Sequence, residues 1–143
     1  MRSTFARFAG LLGFAVLLAS CAGPRTVLVS PTVNVNIRCP GGRVIAEVGG
    51  WRTHVPRGGS VTWKLASGAN AANITIAPKN PGQWPVPTPP PPYTVPRNEM
   101  FQATVPTGAN PGTYAYTITG VCTDSSNPSL TYSVVIDPDI VVD

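Results

Sequence analysis

Residues 113–122 read Thr-Tyr-Ala-Tyr-Thr-Ile-Thr-Gly-Val-Cys. Tyr114, Tyr116, Ile118 and Cys122 share one parity, and Thr113, Thr117 and Thr119 share the other. Successive strand residues point to opposite faces, so this period of two describes a strand with one buried side. Its β-branched and aromatic residues suit a pleated, half-buried surface. The pattern recurs on both sides. Leu130 to Ile136 alternates through Leu130, Tyr132, Val134 and Ile136 after a Ser-Ser-Asn-Pro turn. Thr32 to Cys39 places Val33, Val35, Ile37 and Cys39 on one face, with Thr32, Asn34, Asn36 and Arg38 opposite. Ser60 to Leu65 turns Val61, Trp63 and Leu65 inward.

Weaker strands are expected at Val27 to Ser30, Arg43 to Val48, Trp51 to Val55, Asn73 to Ala77, Met100 to Val105 and Ile140 to Val142. The turns between them carry many of the 17 prolines and 14 glycines, among them Pro40-Gly41-Gly42, Gly49-Gly50 and Pro56-Arg57-Gly58-Gly59. Helix signals are nearly absent beyond residue 21. The expectation is an all-β domain over 27–143, a Greek-key β-sandwich of about 7–8 strands. Pro78 to Pro96 interrupts the pattern with nine prolines, including the run Pro89 to Pro92. Proline has no N–H for a sheet ladder, so 78–96 is expected to be an extended loop held clear of the sheets. Trp84 and Tyr93 flank its proline run. They read either as an aromatic platform for a peptide or sugar, a partner contact, or as pins that pack the loop back onto the sandwich.

The first 20 residues belong to a different class. Arg2 and Arg7 precede the apolar run Phe8 to Ala19, which is well short of the roughly 20 residues of a permanent membrane span. That is the form of an export signal. It ends in Leu18-Ala19-Ser20-Cys21, which resembles the lipobox of bacterial lipoproteins. The resemblance implies cleavage before Cys21, diacylglycerol on its thiol, and a short lipidated tether over 21–26. Ala22 rather than aspartate follows, so by the same resemblance the expected address is the outer membrane, facing the periplasm. About 120 residues then remain, enough for one domain. Without Arg2 and Arg7 the ten basic side chains fall to eight against six acidic ones. The basic residues are scattered, and no nucleic-acid partner is expected. With Cys21 carrying lipid, Cys39 and Cys122 are an even pair in an oxidising compartment. Both lie on the apolar parity at strand ends, and a disulfide between them is expected.

Two segments resemble the cupredoxin family. Val55-Pro56-Arg57-Gly58-Gly59-Ser60-Val61-Thr62-Trp63 is similar to the segment in which a cupredoxin strand turns through glycine into a V-T-W strand. Pro111-Gly112-Thr113-Tyr114-Ala115-Tyr116 is similar to the P-G-T-Y-x-Y strand before that family's copper loop. Asn73-Ile74-Thr75-Ile76 stands where the family has its first metal-binding histidine. The resemblance runs from Val55 to Cys122 and implies a cupredoxin-like sandwich; an immunoglobulin-like one is the alternative.

A type 1 copper site needs two histidines, a cysteine thiolate and usually a methionine. This chain has one histidine, His54, and offers Ala72 or Asn73 at the family's first ligand position. Neither Thr117 nor Cys122 is followed by a histidine, and Met100 precedes the G-T-Y strand instead of following it. No copper and no other cofactor is expected. A serine-hydrolase triad would have to use His54, yet no Gly-x-Ser-x-Gly elbow occurs. Glu47, Glu99 and the late aspartates do not form a recognisable carboxylate pair, and Asp137-Pro138-Asp139 reads as a turn. The expectation is a non-catalytic, lipid-anchored binding or structural module meeting an envelope protein or glycan. The alternative is a metal-free accessory domain or small-molecule carrier with an apolar cavity beside Trp63 or Trp51.

Overall fold

The computed structural model describes residues 30–143. The signal over 1–20, Cys21 and the tether over 21–26 lie outside the described residues, as does most of the Val27 to Ser30 segment. Ten strands follow: β1 (Thr32–Arg38), β2 (Ile45–Val48), β3 (Arg52–Val55), β4 (Ser60–Leu65), β5 (Asn73–Pro78), β6 (Tyr93–Pro96), β7 (Met100–Thr104), β8 (Gly112–Thr123), β9 (Thr131–Ile136) and β10 (Asp139–Val142). Among the described residues the one helical element is a 3-10 turn at Pro81–Gln83. No helix among the described residues is long and apolar enough to cross a membrane.

The strands form two sheets. One has the order β2-β1-β4-β7; the other has the order β3-β10-β8-β5-β6, with β9 also paired to β8. Most neighbours are antiparallel, but β1 runs parallel to β4 and β3 runs parallel to β10. An immunoglobulin sheet sets its first, second, fifth and fourth strands side by side in that order. The observed order of second, first, fourth and seventh is incompatible with it, and the immunoglobulin-like alternative falls. The two cupredoxin-resembling segments become the β3–β4 corner, which passes from one sheet to the other, and the start of β8.

The alternation read from the sequence sets which side chains meet. Val33, Val35, Ile37, Val61 and Trp63 from the first sheet are fully buried against Ile74, Ile76, Tyr116, Ile118 and Ile140 from the second. At Gly120 the sheets come close, because a Cβ there would stand 2.8 Å from the end of Ile37. Around Trp63 an aromatic cluster assembles. Its ring centroid lies 6.0 Å from Tyr116, 6.1 Å from Phe101 and 6.2 Å from Tyr93. Tyr93 stacks on Phe101 at 4.4 Å, and Trp84 approaches Tyr116 at 5.7 Å. Such pairs add roughly 0.5–1.5 kcal/mol each beyond the area they bury.

The strand registers give the sandwich two distinct ends. Cys39 and Cys122 close one end with a disulfide, Cα–Cα 5.9 Å, across 83 residues of sequence. Asp124 braces it: its carboxylate accepts from the Gly42 N–H at 2.6 Å, and from the Ser126 N–H at 2.8 Å and hydroxyl at 2.7 Å. Gly41 and Gly42 turn with φ of 57° and 76°, which side-chain-bearing residues rarely adopt. At the other end lie the chain entering at Pro31, the 56–59 turn, the loops 79–92 and 105–111, and Val142.

The proline-rich segment differs from expectation. Pro78 ends β5, and Tyr93–Pro96 forms β6, whose register pairs Ile76 with Tyr93 and Asn73 with Pro96. The segment is the excursion of a β5–β6 hairpin. Proline is tolerated because β6 is an edge strand, with ladder partners on one side only. Nor is the loop held clear: Trp84, Pro85 and Val86 are buried.

Candidate functional site

Trp84 and Tyr93 are 7% and 3% exposed, so the partner-contact platform expected of them is overturned. The Trp84 indole N–H donates to the Tyr93 hydroxyl at 3.0 Å, and that hydroxyl donates to the Val86 carbonyl at 2.6 Å. Both polar handles are therefore satisfied internally, and both rings complete the apolar core where short, glycine-rich turns cannot. The residues pin the loop. Burial pushes the Tyr93 hydroxyl pKa up, against the lowering effect of the Trp84 hydrogen bond. In the same cluster Trp63 donates to Tyr116 at 3.2 Å. Burial pushes the Tyr116 pKa up to about 12, with Asp139 adding in the same direction and Trp63 opposing.

The carrier reading placed an apolar cavity beside Trp63 or Trp51. Trp63 is fully buried among its aromatic neighbours, and Trp51 is 59% exposed. Neither lines a principal cavity of the described residues.

The donors of a copper centre do not come together. Cys122 is in the disulfide at one end. His54 lies on β3 opposite Val141, which in turn pairs with Thr113 near the start of β8. Nine residues of strand separate Thr113 from Cys122, about 30 Å. The His54 Nδ1 sits 3.2 Å from both carboxylate oxygens of Asp143. Met100 is 69% exposed on β7. Among the described residues no three His, Cys, Asp or Glu side chains cluster where an ion could sit.

One concavity lies at the opposite end from the disulfide; another, of about 410 Å³, lies among Asn34, Lys64–Ser67 and Asn98–Met100. A trough of about 400 Å³ runs between the loops 79–92 and 105–111, and a second hollow of about 210 Å³ adjoins it. They share Gln83, Trp84 and Tyr114. Gln83 closes the 3-10 turn, its N–H bonded to the Asn80 carbonyl at 3.1 Å. On the facing loop the Ala109 N–H bonds to Pro106 at 3.0 Å, and the Tyr114 hydroxyl donates to the Asn110 carbonyl at 2.6 Å. Each wall is thus held by its own backbone bonds. Sequence reasoning missed this site. The signal was present as glycines at 82, 108 and 112 beside asparagines at 80 and 110, but nothing local says that the two loops face each other.

Lys79 is the one cation lining these two hollows, and its ammonium pairs with Asp137 at 3.2 Å. Asp137 also accepts from the Thr117 hydroxyl at 3.0 Å, and hydrogen bonding from Thr117 and Lys79 holds its pKa below the ordinary carboxylate value.

No family model and no curated protein matches the chain. Solved structures similar to it include a reduced Cu(I) form of an amicyanin mutant at pH 4, at 14% identity. It covers 83% of this chain and 87% of that one, with a TM-score of 0.43. An oxidized amicyanin mutant matches at 16% identity over 80% and 82%, with a TM-score of 0.44. A heme-copper terminal oxidase dimer matches at 9% identity over 87% and 78%, with a TM-score of 0.36. The chain's own strand order and core make it an all-β, two-sheet sandwich.

Proposed function

We propose that this chain is a lipid-anchored cell-envelope protein whose cupredoxin-like sandwich works without metal and without catalysis, as a binding or structural module. One observation carries the metal-free part. The cysteine nearest the family's ligand position is tied to Cys39, while the only histidine lies about 30 Å away on another strand. Two of the donors a type 1 site requires are thereby withdrawn or displaced. The cupredoxin-like reading is supported by the two resembling segments, one at the corner between the sheets and one at the start of β8. The anchor reading rests on the apolar run ending at Cys21, and two or more acyl chains there would give firm attachment. The outer membrane, facing the periplasm, is the address that Ala22 favours.

The test uses the full chain expressed in a bacterial envelope. Intact mass after detergent extraction should show loss of residues 1–20 and addition of lipid at Cys21. Cys21→Ser should leave the membrane fraction. The purified wild type should stay colourless when copper is added. A blue band, or a Cys21→Ser protein that still fractionates with membranes, would sink the respective half of the reading.

A further inference from the structure

We infer that the trough between the loops 79–92 and 105–111 is a binding site for an uncharged pyranose chain of the envelope. The inference takes from the envelope reading only where such a chain would be met; the chemistry comes from the trough.

Size comes first. About 400 Å³, continuous with about 210 Å³ more, falls within the range of roughly 300–1,000 Å³ usual for ligand pockets. Gly82 and Gly108 line it. A Cβ at Gly108 would meet nothing within 4 Å, and one at Gly82 would meet only the Asn80 side chain, at 3.8 Å. The second feature is a ring with room beside it. Tyr114 lines both hollows, half-buried, with its hydroxyl fixed on Asn110. Its ring offers an apolar surface for the C–H face of a sugar. The third feature is the polar complement. Asn80, Gln83 and Asn110 bring side-chain amides to the two rims, all exposed. An amide both donates and accepts, as sugar hydroxyls do.

The charge pattern narrows the class. No carboxylate lines either hollow, and the ammonium of Lys79 is already paired with Asp137. The lining therefore selects neither a cation nor an anion. An extended peptide fits less well. Strand addition needs unpaired backbone, and the Ala115 carbonyl on the open side of β8 already accepts from the Lys79 backbone N–H at 3.0 Å. Proline-rich peptides dock on exposed aromatic rings, whereas Trp84 is buried and its indole N–H is already donated to Tyr93.

Saturation-transfer NMR on the full-length protein in detergent, with cellotetraose and chitotetraose as separate probes, tests this. Transfer to ring protons of at least one sugar should be saturable. Gln83→Ala with Asn110→Ala removes two hydrogen-bonding groups and should weaken binding about tenfold or more. Gly108→Leu removes no group; it fills the trough and should abolish transfer, with a melting temperature near wild type showing that the fold survives. Cys21→Ser should bind as wild type does, so a failed anchor reading and a failed sugar reading give different results. No transfer to either sugar, binding indifferent to both trough variants, or displacement only by a proline-rich peptide would each overturn the inference.

Discussion

Tyr93→Phe removes one oxygen atom and, with it, two buried hydrogen bonds. The ring and its 4.4 Å stack on Phe101 are retained, so packing changes little. The Trp84 indole N–H then has no acceptor and the Val86 carbonyl loses its donor. Val86 is fully buried, which leaves little access for a replacing water. Each group stranded in this way costs about 1–3 kcal/mol. Together they should destabilise the protein by about 3 kcal/mol, a large share of the roughly 5–15 kcal/mol that holds a domain folded. The melting temperature should drop by on the order of 10 °C. Urea denaturation of wild type and variant under identical conditions measures the difference, and an unchanged slope would assign it to stability alone. Amide exchange should quicken first in residues 79–92. If Tyr93→Phe stays within about 0.5 kcal/mol of wild type, the size of an ordinary surface substitution, the loop is not pinned by this pair.

Loss of the disulfide should cost about 2–4 kcal/mol, against roughly 4–5 from chain entropy for its 83-residue loop; Cys39→Ala with Cys122→Ala, denatured beside wild type, reads it. A variant as stable as wild type would deny the bridge a structural role. Two limbs are expected in stability against pH. Tyr116 has a folded pKa near 12 against an ordinary 10.0, so above pH 10 only the unfolded chain ionises. Stability is full below pH 10 and falls by about 1.4 kcal/mol per pH unit towards 12, and Tyr116→Phe should flatten this limb. Asp124 is held below its ordinary 3.8, chiefly by the Ser126 hydroxyl and N–H. Its contribution is present above about pH 4 and is lost as pH falls through the lower folded value; Asp124→Asn should blunt that acid limb.

Where one periodicity decided the matter, the sequence was enough. The strands that became β1, β4, β8 and β9 alternate over six or more residues, and their buried parity is the one read from the chain. The disulfide was legible for the same reason, since strand parity and cysteine count left one pairing. Strand β6 was not, because proline masks strand propensity and only the pairing with β5 makes Tyr93–Pro96 extended. The fate of Trp84 and Tyr93 was also hidden. Their burial depends on two hydrogen bonds across the loop and on rings contributed by β7 and β8, none of which local pattern contains. The trough is a meeting of two loops some 25 residues apart in sequence, set by the sheets behind them. Glycine and asparagine spell turns in both loops without stating that they face.

The disulfide also decides how the domain would respond to being pulled. Tension arriving from residue 30 enters β1 along its axis. It is shared in shear by ladder bonds to β4 over Thr32–Val35 and to β2 over Val35–Arg38. One residue further on, Cys39 is bolted to Cys122 in the opposite sheet, so β1 cannot slide out without dragging the end of β8. Between those cysteines lies the bulk of the sandwich, and on the order of 280 Å of contour is withheld from extension while the bond is intact. Without the bond the same tension would draw that length out, although no surface that the folded protein presents would differ, since both cysteines are buried.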